Sequence, residues 1–123
     1  MLEIEPNNGE SSNALGLVLA KQGRTDEARK LFEAAISINR SDASAINNLG
    51  VLFANTGKVD DAIAAFQYGV DVAPKDETLR LNLARLWVQR GSREKASEVL
   101  RDFLRRSPGN ATAERALRAL DTP

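Results

Sequence analysis

Apolar residues recur along this chain with two superposed periods. Within segments of about a dozen residues they fall at helical spacing, as in Ile46, Leu49, Leu52 and Phe53, so that one side of a helix is apolar. Over the whole chain the pattern returns every 34 residues. Leu15, Leu49 and Leu83 share a column of that period, as do Gly16, Gly50 and Ala84, and then Leu19, Phe53 and Trp87. Gly23, Gly57 and Gly91 follow, then Ala28, Ala62 and Ala96, then Phe32, Phe66 and Leu100. A fixed period of this length marks a solenoid, whose units bury their apolar faces only against their neighbours.

Each unit reads as two antiparallel helices. Asn8, Asp42, Asp76 and Asn110 fall in one column, and their side-chain oxygens suit the orphan N–H groups of a first helical turn. The first helix ends at the glycine column, where a left-handed residue satisfies the last carbonyls. The second helix opens with Asp26, Asp60 or Glu94 in its first turn, a favourable place for negative charge. Its buried stripe takes in Ala28, Leu31, Phe32, Ala35 and Ile36, with counterparts Ala62, Ala65, Phe66, Gly69 and Val70. Pro74 and Pro108 mark the linkers. The small columns at Gly16, Gly50, Ala84 and at Ala28, Ala62, Ala96 let the paired backbones approach closely.

The composition removes whole classes of chemistry. The chain has 123 residues, one domain's worth, with no cysteine and no histidine. Disulfides, thiolate or imidazole zinc sites, cysteine nucleophiles and histidine acid–base catalysis are excluded. No cofactor is implied. Asp60–Asp61 reads as a helix start and Glu94/Glu98 as an exposed pair, so the chain is not expected to be an enzyme. No apolar run approaches the roughly 18 residues that cross a bilayer, and the chain is expected to be soluble and cytoplasmic. Net charge is zero but drifts. Residues 1–76 carry 7 Lys and Arg against 11 Asp and Glu, and residues 77–123 carry 10 against 6. Solvated outer faces account for this better than a basic end built for an acidic partner.

These columns resemble the tetratricopeptide repeat, a helix–turn–helix unit of 34 residues. The resemblance covers nearly the whole chain and implies an all-α solenoid wound as a right-handed superhelix. Three repeats then occupy 9–42, 43–76 and 77–110. Residues 111–123 form a capping helix and tail, and residues 1–8 continue the period as the remnant of a preceding second helix. Leu2, Ile4 and Pro6 align there with Val70, Val72 and Pro74, which suggests a piece of a longer protein. Departures are local. The opening aromatic position holds Ser12, Ile46 and Arg80; the later small position holds Ala35, Gly69 and Phe103.

In this family the first helices line a concave groove, and the resemblance places specific residues there. The expected peptide contacts are Asn13 and Leu17 from the first repeat, Asn47, Asn48, Val51 and Asn55 from the second, and Asn82, Arg85 and Gln89 from the third. Glu10, Lys21 and Leu81 stand beside them, with Thr112 and Arg115 on the cap. Asn48 and Asn82 share a column, and amides that donate and accept suit either the main chain of a bound peptide or the adjacent repeat. The positions that hold a terminal carboxylate in chaperone-binding relatives carry Asn13, Leu17, Asn48, Thr78 and Asn82, without a cation, so no such clamp is expected. The function implied is non-catalytic protein–protein interaction through a groove-bound peptide. The alternative is self-assembly or spacing within a larger protein, with association through the uncovered edge of the first repeat. Nucleic acid is not expected, because the C-terminal arginines are interleaved with acids and no groove aromatics accompany them.

Overall fold

The computed structural model describes residues 9–121. The expected remnant at 1–8, the Asn8 cap and the last two residues lie outside them. Within the described residues the chain is all helix: α1 (Gly9–Lys21), α2 (Thr25–Ile38), α3 (Ala43–Asn55), α4 (Val59–Val72), α5 (Glu77–Gln89), α6 (Arg93–Arg106) and α7 (Ala111–Asp121).

The helix ends follow from local chemistry repeated in register. Asp42 Oδ1 accepts from the Ala45 N–H at 3.1 Å, Asp76 Oδ1 from Leu79 at 2.9 Å and Asn110 Oδ1 from Ala113 at 2.9 Å. These three side chains start α3, α5 and α7. Gly23, Gly57 and Gly91 have φ of 79°, 80° and 96°. The residue after each glycine donates back five positions, Arg24 to Leu19, Lys58 to Phe53 and Ser92 to Trp87, at 2.8–2.9 Å. That six-to-one bond closes the first helix and turns the chain directly into the second.

Sequential helices pack on one another, and α1, α3 and α5 also touch side by side in a way that α2, α4 and α6 do not to that extent. Tighter spacing of the first helices makes theirs the inner layer of the curve. The core is built across junctions. Leu52 of α3 completes the cluster of Leu19, Ala28 and Phe32. Leu79, Leu83 and Leu86 of α5 complete that of Ile46, Ala62, Ile63, Phe66 and Val70. Ala113 of α7 completes the third, around Ala84, Ala96, Leu100 and Phe103.

The small column is matched to the bulk opposite it. A Cβ on Gly16 would stand 2.6 Å from Phe32 Cε1, and one on Gly50 2.6 Å from Phe66 Cε1. In the third repeat the ring is replaced by Leu100, and Ala84 fits where the others need glycine.

Candidate functional site

The inner layer carries three depressions in a row, each at a junction between neighbouring first helices. The first, about 470 Å³, lies between α1 and α3 and is lined by Leu17, Lys21, Asn48, Val51, Leu52 and Asn55, with the Phe32 ring behind them. The second, about 220 Å³, lies between α3 and α5 and is lined by Val51, Asn55, Asn82, Arg85 and Gln89. The third, about 320 Å³, lies between α5 and α7, with Leu81, Arg85 and Val88 on one side and Thr112, Ala116 and Leu120 on the other.

Seven of the nine residues expected from the sequence line these depressions: Leu17, Asn48, Val51, Asn55, Asn82, Arg85 and Gln89. Asn13 and Asn47 do not. They are engaged in the wall between repeats. Asn48 Nδ2 donates to Asn13 Oδ1 at 2.8 Å, and Asn13 Nδ2 donates onward to Ser44 Oγ at 3.1 Å. Asn82 Nδ2 donates to Asn47 Oδ1 at 2.6 Å. The asparagines therefore staple successive first helices together. Asn48 and Asn82 also line the groove, and their Oδ1 atoms accept no hydrogen bond among the described residues. Of the flanking residues, Lys21, Leu81 and Thr112 line the groove, while Glu10 and Arg115 line none of the three depressions.

Two kinds of lining residue are not among the residues expected from the sequence. Phe32 belongs to a second helix and to the core by its column, yet its ring edge reaches the first depression. Val88, Ala119 and Leu120 wall the third. Their signal was present as exposed or half-exposed apolar residues on α5 and α7.

Two other side chains tie the linkers between repeats to neighbouring helices. Tyr68 of α4 donates its hydroxyl to the Arg40 carbonyl at 2.7 Å. Arg80, which stands at the opening aromatic position of the third repeat, is only 3% exposed. Its Nη1 donates to Asp102 Oδ2 at 2.7 Å, and its guanidinium sits 6.0 Å from the Phe103 ring centroid. The Arg80 hydrogen bond holds the Asp102 carboxyl below its ordinary value; burial opposes this, and Arg106 and Arg105 add to it. Trp87 packs between the second and third core clusters, with Lys95 Nζ 4.4 Å above its ring, as its column implied.

No group of three or more metal-ligating side chains occurs among the described residues. None of the helices described is long and apolar enough to cross a membrane.

Profiles of the tetratricopeptide repeat match residues 13–77 and 53–120. By direct sequence comparison no curated protein matches the chain. Among solved structures it is similar to the type III secretion chaperone SycD of Yersinia enterocolitica in complex with a peptide of the translocator YopD. The TM-score is 0.77 at 20% identity, over 98% of this chain and 97% of that one. PcrH from Pseudomonas aeruginosa gives 0.77 at 20% identity, over 98% and 96%. YrrB, described as a tetratricopeptide protein with an unusual peptide-binding site, gives 0.73 at 27% identity, over 94% of this chain and 58% of YrrB.

Proposed function

The chain belongs to the tetratricopeptide repeat family, and on that premise we propose that it is a non-catalytic protein–protein interaction module which holds a peptide segment in its concave groove. One observation carries the reading. The three depressions lie in line along the layer of first helices, and they are lined by apolar side chains interrupted by amides. That is the mixture a peptide needs: apolar recesses for side chains and amides that can pair with its main chain. Similar folds whose descriptions mention a bound peptide or a peptide-binding site support the same reading.

A peptide-display selection run on the chain and on an Asn48→Ala/Asn82→Ala/Arg85→Ala variant tests it, with circular dichroism checking that the variant folds. The expected result is a sequence family enriched by the first and lost with the second. Enrichment that survives the three substitutions, or no enrichment, removes the groove from consideration.

A second reading, self-association through the first repeat, has Val18 and Ile38 in its favour, exposed at 50% and 45%. Oligomeric state against concentration separates the two. Nucleic acid fits less well, because Arg90, Arg101, Arg105 and Arg106 are paired with Asp60, Asp121 and Asp102.

A further inference from the structure

The depressions differ in chemistry, and the difference specifies a class of peptide; this step rests on the groove reading above. The first depression is walled mainly by Leu17, Val51, Leu52 and the Phe32 ring. The third is walled mainly by Val88, Leu100, Ala116 and Leu120. Between them the middle one is smaller and less apolar, with Asn55, Asn82 and Gln89 set among Val51, Phe66 and Leu86, and Arg85 lines both it and the third.

Arg85 is unlike most arginines around it. Arg80, Arg90, Arg105 and Arg106 each meet a carboxylate. Arg85 is exposed and makes no ion pair or hydrogen bond among the described residues. Lys21 is the other cation of the groove, and no carboxylate lines any of the three depressions. The crevice between α2 and α4 has the opposite character, with Glu33 and Asp61 on its rim. A concave surface with cations and no anions focuses positive potential inward. A guanidinium held between two apolar recesses is matched best by a carboxylate.

We propose that the groove selects an extended peptide segment in which an internal Asp or Glu side chain meets Arg85 and is flanked by two apolar side chains, one for each outer depression. The carboxylate is internal because the third depression continues past Arg85 to α7, so the peptide must continue with it. The segment is extended because Asn48 and Asn82 line the groove with Oδ1 atoms that have no donor among the described residues, and an extended chain has free N–H groups to donate whereas a helix has spent most of its own. The outer depressions are two helix steps apart, about 16–20 Å at ordinary helix packing distances. An extended chain covers that in about five or six residues.

The test is a random dodecapeptide display library panned on the full chain and on Arg85→Glu, a substitution at an exposed, unpaired position. The wild type is expected to enrich peptides with two apolar residues five or six positions apart and an acid between them. Arg85→Glu is expected to keep the apolar pair and replace the acid with Lys or Arg. A peptide selected on the wild type should bind Arg85→Glu about tenfold or more weakly at low salt, with the gap narrowing as salt rises. Groove-dependent peptides without an acidic position, an acid retained on Arg85→Glu, or apolar residues at helical spacing would overturn this inference and leave the groove reading standing. No enrichment, or enrichment indifferent to the triple alanine variant, removes both.

Discussion

The α2–α3 and α4–α5 junctions present one problem, a period apart, and solve it with different chemistry. The linker carbonyls of Arg40 and Pro74 share a column. At the first junction the Tyr68 hydroxyl reaches from α4 and donates to Arg40. At the second, Tyr68's column holds Asp102, which as a carboxylate has nothing to donate. Arg80 takes over from α5. Its Nε donates to the Pro74 carbonyl at 3.2 Å, and its Nη1 to the Val99 carbonyl at 3.3 Å and to Asp102 at 2.7 Å. The neighbouring columns shift to suit. Arg80 stands where the second repeat has Ile46, and Phe103 where it has Gly69. In the second repeat that space is already taken: a Cβ on Gly69 would meet Ile46 Cγ2 and Leu79 Cδ1 at 2.9 Å. A departure at one position of the repeat is thus tolerated because two others change with it. The three columns behave as one set.

The largest test of that set removes the bulk that the third repeat gained. Phe103 is fully buried and packs against Arg80. Phe103→Ala is expected to cost about 3–5 kcal/mol, read as a fall in the urea midpoint. The converse substitution, Gly69→Phe, has no cavity to enter and should cost about 3 kcal/mol, the upper end for overpacking.

A double-mutant cycle sharpens the comparison. Arg80→Ile deprives two carbonyls of their donor. Asp102→Tyr strips a buried guanidinium of its carboxylate. Each is expected to destabilise by about 2 kcal/mol, the scale of a partly satisfied buried polar group. Together they transplant the second repeat's solution, with a tyrosine hydroxyl for the Pro74 carbonyl. The double variant should therefore be more stable than the sum of the singles implies, by about 1 kcal/mol or more. Strict additivity would mean that the columns are independent.

Helix bounds were legible in the sequence because they depend on local rules: an Asp or Asn before α3, α5 and α7 and a glycine after α1, α3 and α5. The core was legible for a similar reason, since its columns repeat. The asparagine staples were not. Column alignment pairs Asn48 with Asn82, but the bonds join Asn13 to Asn48 and Asn47 to Asn82, each 35 positions apart. Neighbouring helices are staggered, so side chains meet one position off the period. The Arg80 network was hidden too, because charge alone does not show that a guanidinium on α5 points at carbonyls of a linker and of α6. Of the depressions, the resemblance pointed to Asn48, Asn55, Asn82, Arg85 and Gln89 but also to Asn13 and Asn47, which line none of them, whereas the walls contributed by Phe32 and Leu120 depend on how helices far apart in sequence close around a space.

A smaller effect is expected at the first junction. Tyr68→Phe removes one hydrogen bond at a partly exposed site, where water replaces the lost donor. The cost should be about 0.5–1 kcal/mol, well below that of either single change at Arg80 or Asp102. A cost equal to theirs would erase the difference between the two junctions.

The smallest effect is also the most specific, because it rests on the titration of one group, the Asp102 carboxylate that faces Arg80. Asp102 in the folded chain holds its proton less readily than the ordinary carboxyl at 3.8, chiefly because Arg80 donates to its ionised form. The unfolded chain, without Arg80 beside it, binds that proton at the ordinary value. The contribution is therefore complete above pH 3.8, declines as pH falls below it, and is gone once pH has passed through the lower folded value. Its size is limited, since the Asp102 side chain is 34% exposed and solvent screens such pairs. Urea midpoints from pH 7 to pH 3 should fall more steeply for the wild type than for the Arg80→Ile/Asp102→Tyr variant, which has a neutral junction like that of Tyr68 and Arg40. The other carboxylates act in both proteins, so the difference in slope isolates Asp102. Parallel curves would show that the ion pair holds the linker by geometry alone and that its charge is incidental.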